Sequence, residues 1–272
     1  MSDADVSDST ALDTTMKGQS RLIVVMGKSQ TLREYMKKLN SLGKMVRVGR
    51  GLFLLHGQIT KEQSILQDLP AISFQKTREI PSASERGEEA ISRRVYAVVS
   101  YRFKDPTAGQ KKRVERLVRK SASIRLRPGV LLFPVLRLKD RRRLLQSDEP
   151  NRFADSKKIS EELRILGAEV SRWSRLRLVG KQSIVEEAVI RTLSHDISSF
   201  EILAKDLRAQ AKDPNAQVKV LKKRYSILSR RYSELKIKWS LARKIWNYDA
   251  TKMITRSYNL MIAARRSIDT FT

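Results

Sequence analysis

The tightest constraint on this chain is that it says nearly the same thing twice: residues 44–55 read KMVRVGRGLFLL and residues 123–133 read SIRLRPGVLLF. Laid on each other, Arg47 meets Arg125 and Gly51 meets Gly129. Four apolar residues follow each glycine: Leu52, Phe53, Leu54 and Leu55, then Val130, Leu131, Leu132 and Phe133. A short run that is apolar at every position and opens on a glycine reads as a buried strand. The surroundings repeat too. An apolar β-rich run (22–26; 95–99) and a basic amphipathic helix (31–42; 110–120) precede each copy, and a shorter helix (61–68; 156–166) and an alternating strand (71–80; 169–179) follow it.

Strands and helices in this order, twice over, predict an α+β chain of two tandem ferredoxin-like (split βαβ) units at 20–82 and 94–181, helices covering one face of an antiparallel sheet. Residues 83–93 mix small and charged side chains without apolar period and read as the linker. Residues 1–19 are small, polar and acidic and read as a disordered tail. An alternative for the first half is a winged helix, with the helix at 31–42 as recognition helix and the basic repeat as its wing. The second unit also carries an insertion, 139–155, in which Arg141, Arg142 and Arg143 stand together, suited to a phosphate contact or to a solvated charged turn.

From residue 183 to 272 strand signals cease. Ile190, Leu193, Ile197, Phe200, Ala204, Leu207 and Ala211 recur at alternating three- and four-residue spacing. Val218, Leu221, Tyr225, Leu228, Tyr232, Leu235, Trp239, Ala242 and Trp246 answer in the same rhythm. This is the seam of a coiled coil, and the short connection around Asp213-Pro214, read as an N-cap and a first-turn proline, makes an antiparallel helical hairpin the natural pairing. The seam equally permits a homodimer or a structural assembly. Beside it the second helix carries ten basic residues and one acid, Glu234. Lys222, Lys236 and Arg243 share one heptad position, Lys223, Arg230 and Lys244 the next, and Arg224, Arg231 and Lys238 the third. A merely solvated face would intersperse glutamates; a continuous basic stripe points to phosphates.

Composition supports that direction. Fifty-six Lys and Arg against 29 Asp and Glu give a formal charge of +27, an excess that self-repels unless the chain spends its time against a polyanion. Nucleic acid is the expected partner, DNA or RNA, and a ribosome-associated role fits the charge as well. The absence of cysteine excludes disulfides, thiolate zinc sites and cysteine nucleophiles, and two histidines with poor spacing leave no expected metal or cofactor. No apolar run approaches the roughly 20 residues of a membrane helix, and the amino terminus has no targeting pattern, so a cytoplasmic location without membrane contact is expected.

Enzymatic signals fail one by one. Gly27-Lys28-Ser29 follows a strand, but the upstream glycine of a phosphate loop would fall on Leu22. The paired acids Glu88/Glu89, Glu161/Glu162 and Glu186/Glu187 read as solvated helix charges rather than converging acid and base groups. A binding protein, not an enzyme, is the expectation.

The run IRLRPGVLLFP, followed by a helix and turn EELRILGAEV and a helix pair, resembles the amino-terminal region of chromate-resistance regulators, with their R-x-G-V-Y-x-L-P strand and later G-A-E-like turn. It is similar in outline to the ferredoxin-like part of phenylacetate-type repressors and to the small CRISPR-associated endonuclease sharing their fold. The resemblance covers about residues 93–210 and implies a ferredoxin-like fold, DNA binding and regulation of transcription. Two departures stand out. The nuclease ends its first strand on a metal-binding aspartate, whereas this chain has Met26-Gly27-Lys28 and Ser100-Tyr101-Arg102, leaving Asp105 and Asp140 as the nearest acids for that alternative. The repressors begin with a winged helix, where this chain repeats its own second unit.

Overall fold

The computed structural model describes residues 20–26, 44–49, 51–56, 70–80, 90–145 and 153–270. The acidic tail, the helices expected at 31–42 and 61–68, the Gly27-Lys28-Ser29 fragment and most of the linker lie outside these residues. Among the described residues eight strands and seven helices follow one another. The first half gives β1 (Arg21–Val25), β2 (Lys44–Gly49), β3 (Leu52–His56) and β4 (Ala71–Lys76). The second gives α1 (Ala90–Arg93), β5 (Val95–Arg102), α2 (Ala108–Arg119), β6 (Ile124–Arg127), β7 (Val130–Pro134), α3 (Leu138–Leu145), α4 (Ser156–Ile165) and β8 (Glu169–Val179). Three helices close the chain: α5 (Ser183–Gln210), α6 (Val218–Ile245) and α7 (Thr251–Asp269).

The strands form one antiparallel sheet in the order β2-β3-β1-β4-β8-β5-β7-β6. Counted within its own half, each half runs 2-3-1-4, and the halves join through their fourth strands, with Ser73 opposite Val179 and Lys76 opposite Leu176. The repeat read as one strand is a hairpin of two. Gly51 and Gly129 hold φ of 73° and 79° in the turns. That region is open to glycine and costly to other residues, so the chain reverses there. Val25 N donates to Gly51 O at 2.9 Å and Tyr101 N to Gly129 O at 2.8 Å. A register shift falls between Arg47 and Gly49 in one hairpin and between Arg125 and Arg127 in the other, so the repeat extends to the bulge.

The sheet is rolled. Five strand spacings separate β1 from β6, on the order of 24 Å in a flat sheet, yet Arg127 of β6 donates through Nη1 to Val25 O and its guanidinium fills the space beside Gly51. Twist accumulated over eight strands brings the outer hairpin of one half onto the turn of the other. Leu22, Val24, Leu52, Leu54 and Phe74 accordingly share one core with Tyr96, Val98 and Leu132. Phe74 and Tyr96 meet edge to face at 6.2 Å, and the fully buried Tyr96 hydroxyl donates to Ile91 O at 2.9 Å. A buried tyrosine needs such a partner for its polar end.

The helical part departs from the expected two-helix seam. Val185, Ala188, Val189 and Leu193 of α5 join the sheet core, while Ile197, Phe200, Ala204 and Leu207 join a second core. That core also takes Leu221, Leu228 and Leu235 from α6 and Ile254, Met261, Ala264 and Ile268 from α7. Three helices therefore share the apolar load. Tyr232 lies between Phe200 (5.7 Å) and Tyr258 of α7 (5.6 Å), and Ile190, expected in the seam, is 44 % exposed. Asp213-Pro214 does not start α6, whose N-cap is Gln217; Asp213 instead accepts from Asn215 N at 2.9 Å. This is the local turn that favours Asp before Pro. The insertion expected as a loop begins with the helix α3, which packs beside α6.

Gly129→Ala would add a Cβ 2.8 Å from Tyr101 O at a positive φ. Left-handed backbone alone costs a non-glycine residue about 1–2 kcal/mol, so the variant should lose at least that much in urea denaturation, and an unchanged midpoint would contradict the shared hairpin geometry.

Candidate nucleic-acid interface

In α6 the leucines Leu221, Leu228 and Leu235 hold the seam, and basic residues occupy much of the remaining circumference. The three basic columns have different fates. Lys222, Lys236 and Arg243 are exposed, as are Lys223, Arg230 and Lys244. Arg243 also stands over the Trp239 ring at 5.9 Å, which orders its guanidinium without neutralising it. Lys222 and Lys244 are about 33 Å apart at 1.5 Å rise per residue. The exposed Ser226 and Ser233 sit one turn from Lys222 and Arg230, small enough to let a phosphate approach.

The third column is open only at its start. Arg224 is exposed and donates to Gln210 of α5, whereas Arg231 is half-buried and Lys238, 6 % exposed, donates from Nζ to Asp196 Oδ2 at 2.7 Å. The cause is the path of α6: its last turns place Leu241, Ala242 and Ile245 in the sheet core, so positions beside the seam become covered as the helix descends. Lys238 is thus a buried, paired charge, unsuited to contact a polymer.

A second basic element joins α6 from far away in sequence. α2 begins with a capping box in which Thr107 Oγ1 accepts from Gln110 N at 3.2 Å and Gln110 Oε1 accepts from Thr107 N at 2.8 Å. Two of the donors a helix start leaves orphaned are satisfied in this way. Val114 and Val118 are buried, which leaves Lys111, Lys112, Arg113 and Arg116 exposed. At its end Arg119 Nε donates to Glu234 Oε2 at 2.9 Å, and Lys120 Nζ lies 3.9 Å from Glu234 Oε1. The one acid of α6 is therefore buried under the end of α2, while Lys111, Lys112, Arg113 and Arg116 of α2 and the first two columns of α6 stay exposed. Burial and the nearby Arg119 and Arg116 cations push the Arg231 pKa down, with Glu234 opposing them in part.

α5 fixes this arrangement to the sheet. Arg191 Nη2 donates to Leu126 O at 2.8 Å and to Arg125 O at 3.3 Å, and Thr192 Oγ1 accepts from Arg125 N at 3.2 Å. The open edge of β6 is thereby covered by side chains of a helix. Between α2, β6, α5 and α6 remains a cavity of about 620 Å³.

The other candidates lie elsewhere. Arg141 is bridged to Asp155 at 3.1 Å, and Asp155 also caps α4 through Lys157 N and Lys158 N, so Arg141 is tied into a helix start. Arg142 is exposed, and the side chain of Arg143 lies outside the described residues. Asp105 is exposed after β5 while Asp140 is buried in α3, and among the described residues no three His, Asp or Glu side chains gather as a metal ion would require. His56 Nδ1 is 2.8 Å from Ser20 Oγ, and His195 is exposed beside Asp196 at 3.8 Å. No helix among the described residues is long and apolar enough to cross a membrane.

No protein-family profile matches the chain, and no curated protein sequence matches it significantly. The site residues that sequence reading overlooks are those of α2. Its basic face was legible, but its meeting with α6 across 115 positions was not. One local signal could have pointed to it: a single acid in a helix with ten cations asks for a partner.

Glu234→Gln removes the negative charge shared by Arg119 and Lys120 and leaves them beside Arg231. Leaving Arg119 and Lys120 with a neutral acceptor in place of the buried carboxylate should cost about 1–3 kcal/mol, and part of the loss should return at high salt, where the exposed repulsion is screened. Urea titrations at low and high salt check this, and an equal loss at both would contradict the electrostatic role.

Proposed function

We propose that this chain is a non-enzymatic nucleic-acid-binding protein that holds phosphates along the two exposed columns of α6 and the adjoining face of α2. The observation that carries the reading is the disposal of charge on α6. Its sole acid is buried under Arg119 and Lys120, while Lys222, Lys223, Arg230, Lys236, Arg243 and Lys244 stay exposed, spread over about 33 Å at helical rise. Such a surface recruits a polyanion by releasing its condensed counterions and reads little sequence, since few side chains suited to base edges accompany the cations. The net charge of +27 gives the same steering at long range. DNA is the polymer and transcriptional regulation the role favoured by the family resemblance, with RNA as the competitor in the test.

The fold accords with this reading. We take each half of the sheet as a ferredoxin-like unit, because each has four antiparallel strands in the order 4-1-3-2, and in the second half α2 and α4 provide the two crossovers. We take α5 and α6 as the helical hairpin. Its seam is occupied by α7 of the same chain, which favours a hairpin closed within the molecule over a homodimer or a structural assembly.

The test is the salt slope of binding. The logarithm of affinity should fall steeply and linearly with the logarithm of salt, and replacing Lys223, Arg230 and Lys244 by Ala should flatten the slope by about one for each phosphate no longer held. Duplex DNA, single-stranded DNA and structured RNA compared at one salt concentration rank the polymers. A slope near zero, or one indifferent to these substitutions, would refute the reading, as would cleavage of the probe in magnesium.

A further inference from the structure

The cavity between α2, β6, α5 and α6 has a charge the exposed surface does not explain. Five cations line it, Arg119, Arg125, Arg191, Arg231 and Lys238, against three carboxylates, Glu115, Asp196 and Glu234, leaving an excess of two positive charges. Three of the cations are engaged: Arg119 with Glu234, Lys238 with Asp196, and Arg191 with carbonyls of β6. Among the described residues Arg125 and Arg231 meet no carboxylate within ion-pair reach, and the Arg231 Nε is buried without a hydrogen-bond partner. The rest of the wall holds Val118, Phe200 and Leu235 with Thr192, Ser199 and His195, and at its floor, where Glu234, Leu235 and Lys238 are buried, a charge is less screened than on the outer face of α6.

We propose that this cavity is a binding site for a phosphate monoester, gripped by Arg231 and Arg125. A phosphate monoester carries close to two negative charges near neutral pH and three acceptor oxygens, matching the excess in the cavity, whereas a phosphodiester inside a strand carries one. The planar fork of arginine suits two of those oxygens at once. The volume of about 620 Å³ leaves room for the organic part of a small ester. The ester has two sources: a free phosphorylated compound, or the terminal phosphate of a strand lying on α6. The inference goes beyond the proposed function, because the exposed columns of α6 take no part in it.

The experiment uses the full chain and two kinds of probe. In the first, calorimetric titration compares phenyl phosphate with phenyl sulfate, a monoanion of similar size. The phosphate should bind about tenfold more tightly, and Arg231→Met and Arg125→Met should each weaken it by about tenfold or more, while Lys222→Ala/Lys223→Ala leaves it unchanged. In the second, a short oligonucleotide with a 5′-phosphate is compared with its 5′-hydroxyl form. A gain that vanishes in Arg231→Met assigns the site to strand ends, and equal affinity assigns it to a free ester. Phenyl phosphate binding no better than phenyl sulfate, or binding undiminished in both arginine variants, overturns the proposal. A chain that binds phenyl phosphate but no nucleic acid at low salt would refute the proposed function and leave this site standing.

Discussion

Where the end of α2 reaches α6, two strongly basic helices need something of opposite sign between their side chains. In this protein that something is Glu234. Its carboxylate takes Arg119 at 2.9 Å and stands 3.9 Å from Lys120, both from the end of α2, and it is the single acid α6 possesses. Two further sets of contacts tie α5 to α6 and to the sheet. Asp196 holds Lys238, and Arg191 and Thr192 hold the edge of β6. Remove the carboxylate, and Arg119, Lys120 and Arg231 are left to repel one another where α2 reaches α6.

The rolled sheet is what makes such a meeting reachable. Its halves have the same strand order reflected about the β4 and β8 pairing, and Arg127 reaches back to Val25 across the roll. β6 is left at an outer edge, where an unpaired strand would be a liability, and α5 lies against it. α5 then extends past the sheet, α6 returns, and the end of α6 re-enters the sheet core with Ile245 and Trp246. The outer parts of both helices stand clear of the sheet with α7 as their third wall.

Local features were readable from the sequence, and distant pairings were not. The repeat announced itself because a turn that requires positive φ admits glycine almost alone, so Gly51 and Gly129 mark the same place twice. The strand at 169–179 and the leucines of α6 were equally plain, since burial on one face imposes a period. The hairpin is hard to read because its first strands are short and half polar beside the apolar runs that follow: β6 has four residues with Arg125 exposed, and β2 carries the exposed Arg47. Lys238 reads as surface in the sequence because its heptad position is solvated earlier in the helix, at Arg224, and is covered only where α6 meets the sheet. The α2 contribution and the cavity were invisible, because no periodicity encodes which two helices will touch.

The most direct test is a lysine-reactivity footprint, read by mass spectrometry, with and without bound nucleic acid. If α2 and the exposed columns of α6 form one surface, Lys112, Lys120, Lys222, Lys223, Lys236 and Lys244 should lose reactivity together on binding. Lys157 and Lys158 on α4 and Lys252 on α7, all exposed, should keep theirs. Protection confined to α4 or α7, or spread evenly over every exposed lysine, would contradict it.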